Sequence, residues 1–157
     1  VKSPNSAAMI RNRIFGDFVL EADVKLAGKG EGAADICILF DIRDSGNFYY
    51  AQLASKADDE TQGIYLVLDG KVPLSVASEL SSGVTLDDGL WHKIKLVREM
   101  DGLIEVYFDD LPALKGYNSS LRAGFTGFGT FGDNIQIDNI KIYARDMLKK
   151  KSRVFEK

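Results

Sequence analysis

The sequence predicts an all-β sandwich or barrel, and three observations carry that prediction. Apolar and polar residues alternate at period two in one segment after another. Gly and Asp turn signals separate those segments at short, regular intervals. Apart from the charged C-terminal tail, no segment of 12 or more residues carries a helical period.

Residues 17–26, DFVLEADVKL, place Phe18, Leu20, Ala22, Val24 and Leu26 on one face and Glu21, Asp23 and Lys25 on the other. That is a strand with one face in a core and one in water. Residues 34–42, ADICILFDI, are apolar on nearly both faces and belong in the middle of a sheet. NFYYAQLAS at 47–55 and GIYLVLD at 63–69 are rich in aromatic and β-branched residues. DGK at 69–71 reads as a tight turn into a strand near 72–77. Strands follow at 91–99 and 103–109, and a closing pair lies in GFTGFGTFG and NIQIDNIKIYA. The total is about ten strands.

The hairpin GLWHKIKLVREMDGLIEVYFDD at 89–110 can be registered from its pattern alone. A two-residue Asp101-Gly102 turn would pair Leu96 with Tyr107 and set an apolar face against a polar one. A three-residue loop, Met100-Asp101-Gly102 with a left-handed Gly102, pairs Leu96 with Val106 and Ile94 with Phe108. It also sets Lys93 opposite Asp109, a favourable cross-strand pair. His92 then falls on the inner face beside Asp110, with Trp91 turned the other way. Both read as architecture, the histidine pinning a loop and the tryptophan covering the sandwich edge. In the last strand Ile135 and Ile137 share one phase and Ile140 and Ile142 the opposite one. Both pairs reach one core only if the chain slips, which predicts a bulge at Asp138-Asn139.

Fifteen glycines against three prolines and one cysteine mean many turns and no internal disulfide. The net charge is −3, but residues 145–157 hold six basic and two acidic residues, which leaves the body at −7. An acidic body argues against nucleic acid, which needs a basic face. The tail reads as a solvated terminus or a linker to a neighbouring domain, so the domain is taken as 1–144 with a charged tail at 145–157. No run of apolar residues is long enough for a membrane span.

The Trp-His hairpin resembles that of laminin-G-like and concanavalin A-like jelly rolls. GFTGFGTFGDNIQIDNIKIYA resembles their closing strands, and FGDFVLEADVKL resembles the opening strand of the bacterial 3-keto-disaccharide hydrolase domain. The resemblance covers residues 14–144. It implies a two-sheet antiparallel jelly-roll sandwich, a carbohydrate partner, and a periplasmic or extracellular location. It also implies a structural Ca²⁺ near the first and last strands, with Asp138 and Asp23 as ligands. A cap on the bulge's own backbone accounts for Asp138-Asn139 equally well.

A retaining glucanase needs two carboxylates about 5–5.5 Å apart, and the Glu-x-Asp-x-Glu pattern that would supply them is absent. One histidine and one cysteine cannot build a zinc site. The better candidate is DIRDSGNFYYAQLASKADDE at 41–60. Tyr49 and Tyr50 point to opposite faces, so one of them lies outside the core. Around an exposed Tyr50, the groups of Asp41, Arg43, Gln52, Lys56 and Asp58 could hydrogen-bond sugar hydroxyls. The resemblance leads one to expect a histidine near Gln52, and its absence weakens any acid–base mechanism. The leading reading is a non-catalytic carbohydrate-binding domain of a bacterial sugar-processing system. The alternatives are a hydrolase acting on glycosides and a laminin-G-like protein-interaction module.

Overall fold

The computed structural model describes residues 4–28, 34–56, 61–80, 83–132, 134–145 and 147–149. Fourteen strands lie among them: β1 (Ser6–Met9), β2 (Arg13–Phe15), β3 (Phe18–Gly28), β4 (Asp35–Asp44), β5 (Asn47–Ala54), β6 (Gly63–Val67), β7 (Leu74–Ser75), β8 (Ala77–Leu80), β9 (His92–Arg98), β10 (Leu103–Phe108), β11 (Leu111–Tyr117), β12 (Phe125–Thr130), β13 (Asn134–Ala144) and β14 (Met147–Lys149). Their pairings are antiparallel. The first sheet runs β1-β12-β4-β5-β6-β7 and the second β13-β3-β9-β10-β11-β8, with β14 and β2 forming a small ribbon. Among the described residues no helix is long and apolar enough to cross a membrane.

Alternation builds the core between the sheets. Leu20, Ala22 and Val24 of β3 and Ile94 and Leu96 of β9 meet Ile36, Ile38 and Phe40 of β4 and Ile64 and Leu66 of β6. Strand β4 lies inside its sheet and is buried on both faces over eight consecutive residues, as its doubly apolar sequence requires. Its other face, with Cys37 and Leu39, packs into a second cluster that also holds Phe48, Tyr50, Tyr65 and Val67. The outer face of the first sheet is therefore an apolar layer.

The β9–β10 hairpin has the predicted register, with Leu96 opposite Val106 and Ile94 opposite Phe108. Gly102 takes φ +120°, and the Glu99 N–H bonds the Leu103 carbonyl, closing a three-residue loop. Asp69 and Gly70 both have positive φ, and the Lys71 N–H bonds the Leu68 carbonyl at 3.0 Å, a tight turn with both central residues left-handed. The bulge in β13 also lies where phase conflict places it. Pairing with β3 shifts between Asp138 and Lys141, and Asn139 has φ +50°. Ile135, Ile137 and Ile142 reach the core; Ile140, expected there too, sits in the bulge and is exposed. The tail's first residues are not simply solvated, because Met147–Lys149 pair with β2.

Candidate functional site

The structure disperses the residues expected to form a groove at 41–60. Asp41 has φ +48° at a shift in the β4 register, and it is fully buried. That bulge turns its carboxylate toward the second sheet. There Arg98, also fully buried, meets Asp41 Oδ2 through Nε and Nη2, each at 2.8 Å. Gly124 makes room for the turn, since a Cβ there would stand 2.3 Å from the Asp41 carbonyl carbon. Asp41 is thus a cross-sheet staple rather than a groove residue. Burial pushes its carboxyl up to about 6 against the opposing pull of Arg98.

Tyr49 and Tyr50 do face opposite ways. Tyr49 enters the inter-sheet core, stacks on Phe40 at 5.2 Å and accepts the Leu121 N–H on its hydroxyl. Tyr50 is on the outer face, but it is buried rather than exposed, stacked on Tyr65 at 5.0 Å with Phe131 at 6.1 Å. Gln52 shares that face, buried, and donates from Nε2 to Asp35 Oδ2 at 2.8 Å. Arg43 and Lys56 are exposed but stand at opposite ends of the β4–β5 hairpin. Strand rise puts them roughly 25 Å apart, too far to share one sugar ring. Asp58 lies outside the described residues.

What the outer face does hold is a cavity of about 260 Å³ between β1, β4 and the start of β5. Its walls include Met9, Leu39, Ile42 and Phe48, and its polar margin includes Asn5, Asp44 and Ser45. The apolar wall continues into the Tyr50–Tyr65 stack through Phe48, 6.3 Å from Tyr50. Asp44 is the acid of this lining; Asn47 and the Gly46 N–H bond its carboxylate and hold its pKa below the ordinary range. Ile42, Asp44, Ser45 and Phe48 lie within the 41–60 stretch, but none of them is among the ligand-binding residues expected there. β1 is too short to show a period, and Phe48 was hidden behind its more conspicuous neighbours Tyr49 and Tyr50.

His92 is buried at the other end of β9 and stacks on Phe108 at 4.8 Å. Its Nδ1 lies 2.7 Å from Asp109 Oδ2 and its Nε2 2.9 Å from Asp88 Oδ1. The loop-pinning role expected of it holds, although its partners are Asp109 and Asp88 rather than Asp110. Both ring nitrogens are thus taken by carboxylates. Asp138 and Asp23 face each other across β13 and β3, and the bulge occupies both: Asp138 Oδ1 accepts the Asn139 N–H at 2.7 Å, and Asp23 Oδ2 accepts Asn139 Nδ2 at 2.6 Å. That is the capping arrangement. Among the described residues no three His, Cys, Asp or Glu side chains gather as a metal site would require.

No protein-family model matches the sequence, and no curated protein matches it either. Solved structures do resemble it. The carbohydrate-binding module CBM66 from Bacillus subtilis superposes with a TM-score of 0.69 at 15% identity, over 90% of this chain and 94% of that one. Congerin II bound to lactose and MES gives 0.65 at 9% identity, over 88% of this chain and all of that one. Sheep galectin-11 with glycerol gives 0.58 at 8%, over 91% and 99%. At such identities the likeness shows the fold alone, a two-sheet antiparallel jelly-roll β-sandwich.

Proposed function

We propose that this domain binds carbohydrate without turning it over, and that the cavity on the outer face of the first sheet receives the sugar. One observation carries the reading. The cavity joins an apolar wall, Phe48 with Leu39 and Ile42, to a polar margin of Asn5, Ser45 and an ionised Asp44. A sugar ring has the same two sides, C–H groups that pack on an aromatic face and hydroxyls that need hydrogen-bonding partners. Glycoside hydrolysis needs two convergent carboxylates, and this lining offers Asp44 alone. The structural neighbours support the reading, since one is a carbohydrate-binding module and another is a congerin with lactose bound.

The test is calorimetric titration with lactose, cellobiose and maltotriose, followed by amide chemical-shift mapping. Binding should shift amides of β1, the Asp44–Asn47 turn and Phe48. Ser45→Trp, which places bulk at the mouth, and Phe48→Leu, which removes the ring, should each weaken it by about tenfold, near 1.4 kcal/mol. Release of glucose during the titration would instead establish a hydrolase. Absence of binding to all three sugars, or shifts that leave β1, the Asp44–Asn47 turn and Phe48 unmoved, would sink the proposal.

A further inference from the structure

The outer face of the second sheet carries a separate feature. Register places Tyr143 of β13 beside Val19 of β3, and Val19 beside Val97 of β9, so these three side chains form one row across the sheet. The two valines are half-buried and Tyr143 stands 58% exposed above them. One step further, where the strands end, Asp17, Glu99 and Arg145 close the row, and the open pocket they border measures about 260 Å³.

The charged groups here behave differently from those along the rest of the face. Beyond Val97 the same row continues into Glu105 and Lys115, which pair at 3.5 Å, while Tyr107 donates to Glu105 at 3.0 Å and Lys95 lies over the Tyr107 ring. Those groups satisfy one another. At the corner, among the described residues, neither the Arg145 guanidinium nor the Glu99 carboxylate is held by an ion pair or a side-chain hydrogen bond. Asp17 is anchored, with Oδ1 accepting the Met100 N–H and its carbonyl accepting the Arg145 N–H, so the corner's backbone is fixed.

We infer that this corner is a second saccharide site, on the face opposite the cavity of the first sheet, so that a single chain engages two sugars. The lining selects the ligand class. An anion would meet two carboxylates and a cation would meet Arg145, whereas a hydroxyl both donates and accepts and so satisfies guanidinium and carboxylate together. An apolar floor beside an exposed ring suits the C–H face of a neutral pyranoside.

Only the count of two sugars rests on the reading of the first-sheet cavity; occupancy of the corner does not, and one experiment separates the two. In amide chemical-shift titrations with lactose, cellobiose and maltotriose, the amides of Val19, Val97, Glu99 and Tyr143 should move as a set distinct from that around Phe48. Tyr143→Ala, which removes an exposed ring and leaves the core intact, should abolish the first set and spare the second. Glu99→Gln with Arg145→Gln should weaken it by about tenfold, since each idle group then offers a weaker, uncharged partner. Unmoved corner amides with every probe, or movements undiminished in Tyr143→Ala, overturn the inference even where the Phe48 set responds.

Discussion

Arg98 has the phase of Ile94 and Leu96, so alternation alone aims a guanidinium into the core. Such a charge is tolerable only when every donor finds a partner. Here Asp41 takes Nε and Nη2, the Asn118 carbonyl takes Nη1 at 2.9 Å, and the Leu121 carbonyl also takes Nη2. Arg98→Met leaves a buried carboxylate uncompensated and should cost about 3–5 kcal/mol in urea unfolding at neutral pH. The sign of its pH dependence follows from Asp41. Burial raises the folded carboxyl from 3.8 to about 6 despite Arg98, so folding takes up a proton between those values. Without Arg98 the rise is greater, so the loss should be largest above pH 6 and shrink as the pH falls and Asp41 protonates. A loss independent of pH would show that Arg98 acts through packing alone. His92 runs the opposite way. Burial opposes its charge, but the hydrogen bonds and charges of Asp109 and Asp88 outweigh burial and raise its pKa above 6.5. Its stabilisation is complete below pH 6.5 and fades as the pH rises through the folded value. As the chain's one histidine it gives an isolated NMR titration, and His92→Gln should flatten the corresponding limb of the stability profile.

Elements with one wet face wrote their geometry into the sequence, and elements without one did not. The bulge at Asp138-Asn139 was legible because Ile135 and Ile137 fall out of phase with Ile142, and only a slip reconciles them. The bulge at Asp41 is as sharp, yet nothing announced it. β4 is buried on both faces, so a slip leaves no broken alternation to read. Strands β1, β2 and β14 are three or four residues long, too short for a period to emerge. β11 carries no clean alternation, because its burial breaks phase at Ala113-Leu114, and Pro112 sits beside a register shift where its missing N–H is tolerated. The β10–β11 turn offers a direct test of turn chemistry. Asp109 and Asp110 both take positive φ, +48° and +66°, where a side chain is strained. Asp109 has a compensating task, since its carboxylate bonds His92 and the Lys93 N–H. Asp110→Gly should therefore stabilise the domain by about 0.5–1 kcal/mol, a rise of roughly 1–4 °C in Tm. Asp109→Gly should destabilise it despite relieving the same strain.

At the scale of the molecule, the candidate site was less legible than the fold because a sheet's outer face is closed or open according to what distant segments lay across it. Tyr50 and Gln52 face outward as alternation requires, yet both are buried, and Phe131, Met9 and Ile14 come from remote parts of the chain to join that cluster. Cys37 lies in this layer, fully buried in the middle of the first sheet, and burial, followed by the nearby charge of Asp35, pushes its thiol pKa well above the usual value. The lone thiol therefore reports whether the outer layer opens by itself. In the native protein a thiol reagent such as DTNB should label Cys37 only through global unfolding. The free energy obtained from labelling rates under fast reclosing should then equal that from urea unfolding followed by Trp91 fluorescence. Equality makes the layer part of one cooperative core and confines any sugar on this face to the open cavity beside Phe48. Labelling faster than unfolding permits would mean that the cover lifts locally. The stacked rings of Tyr50 and Tyr65 would then become a platform that a longer saccharide could reach from the same cavity.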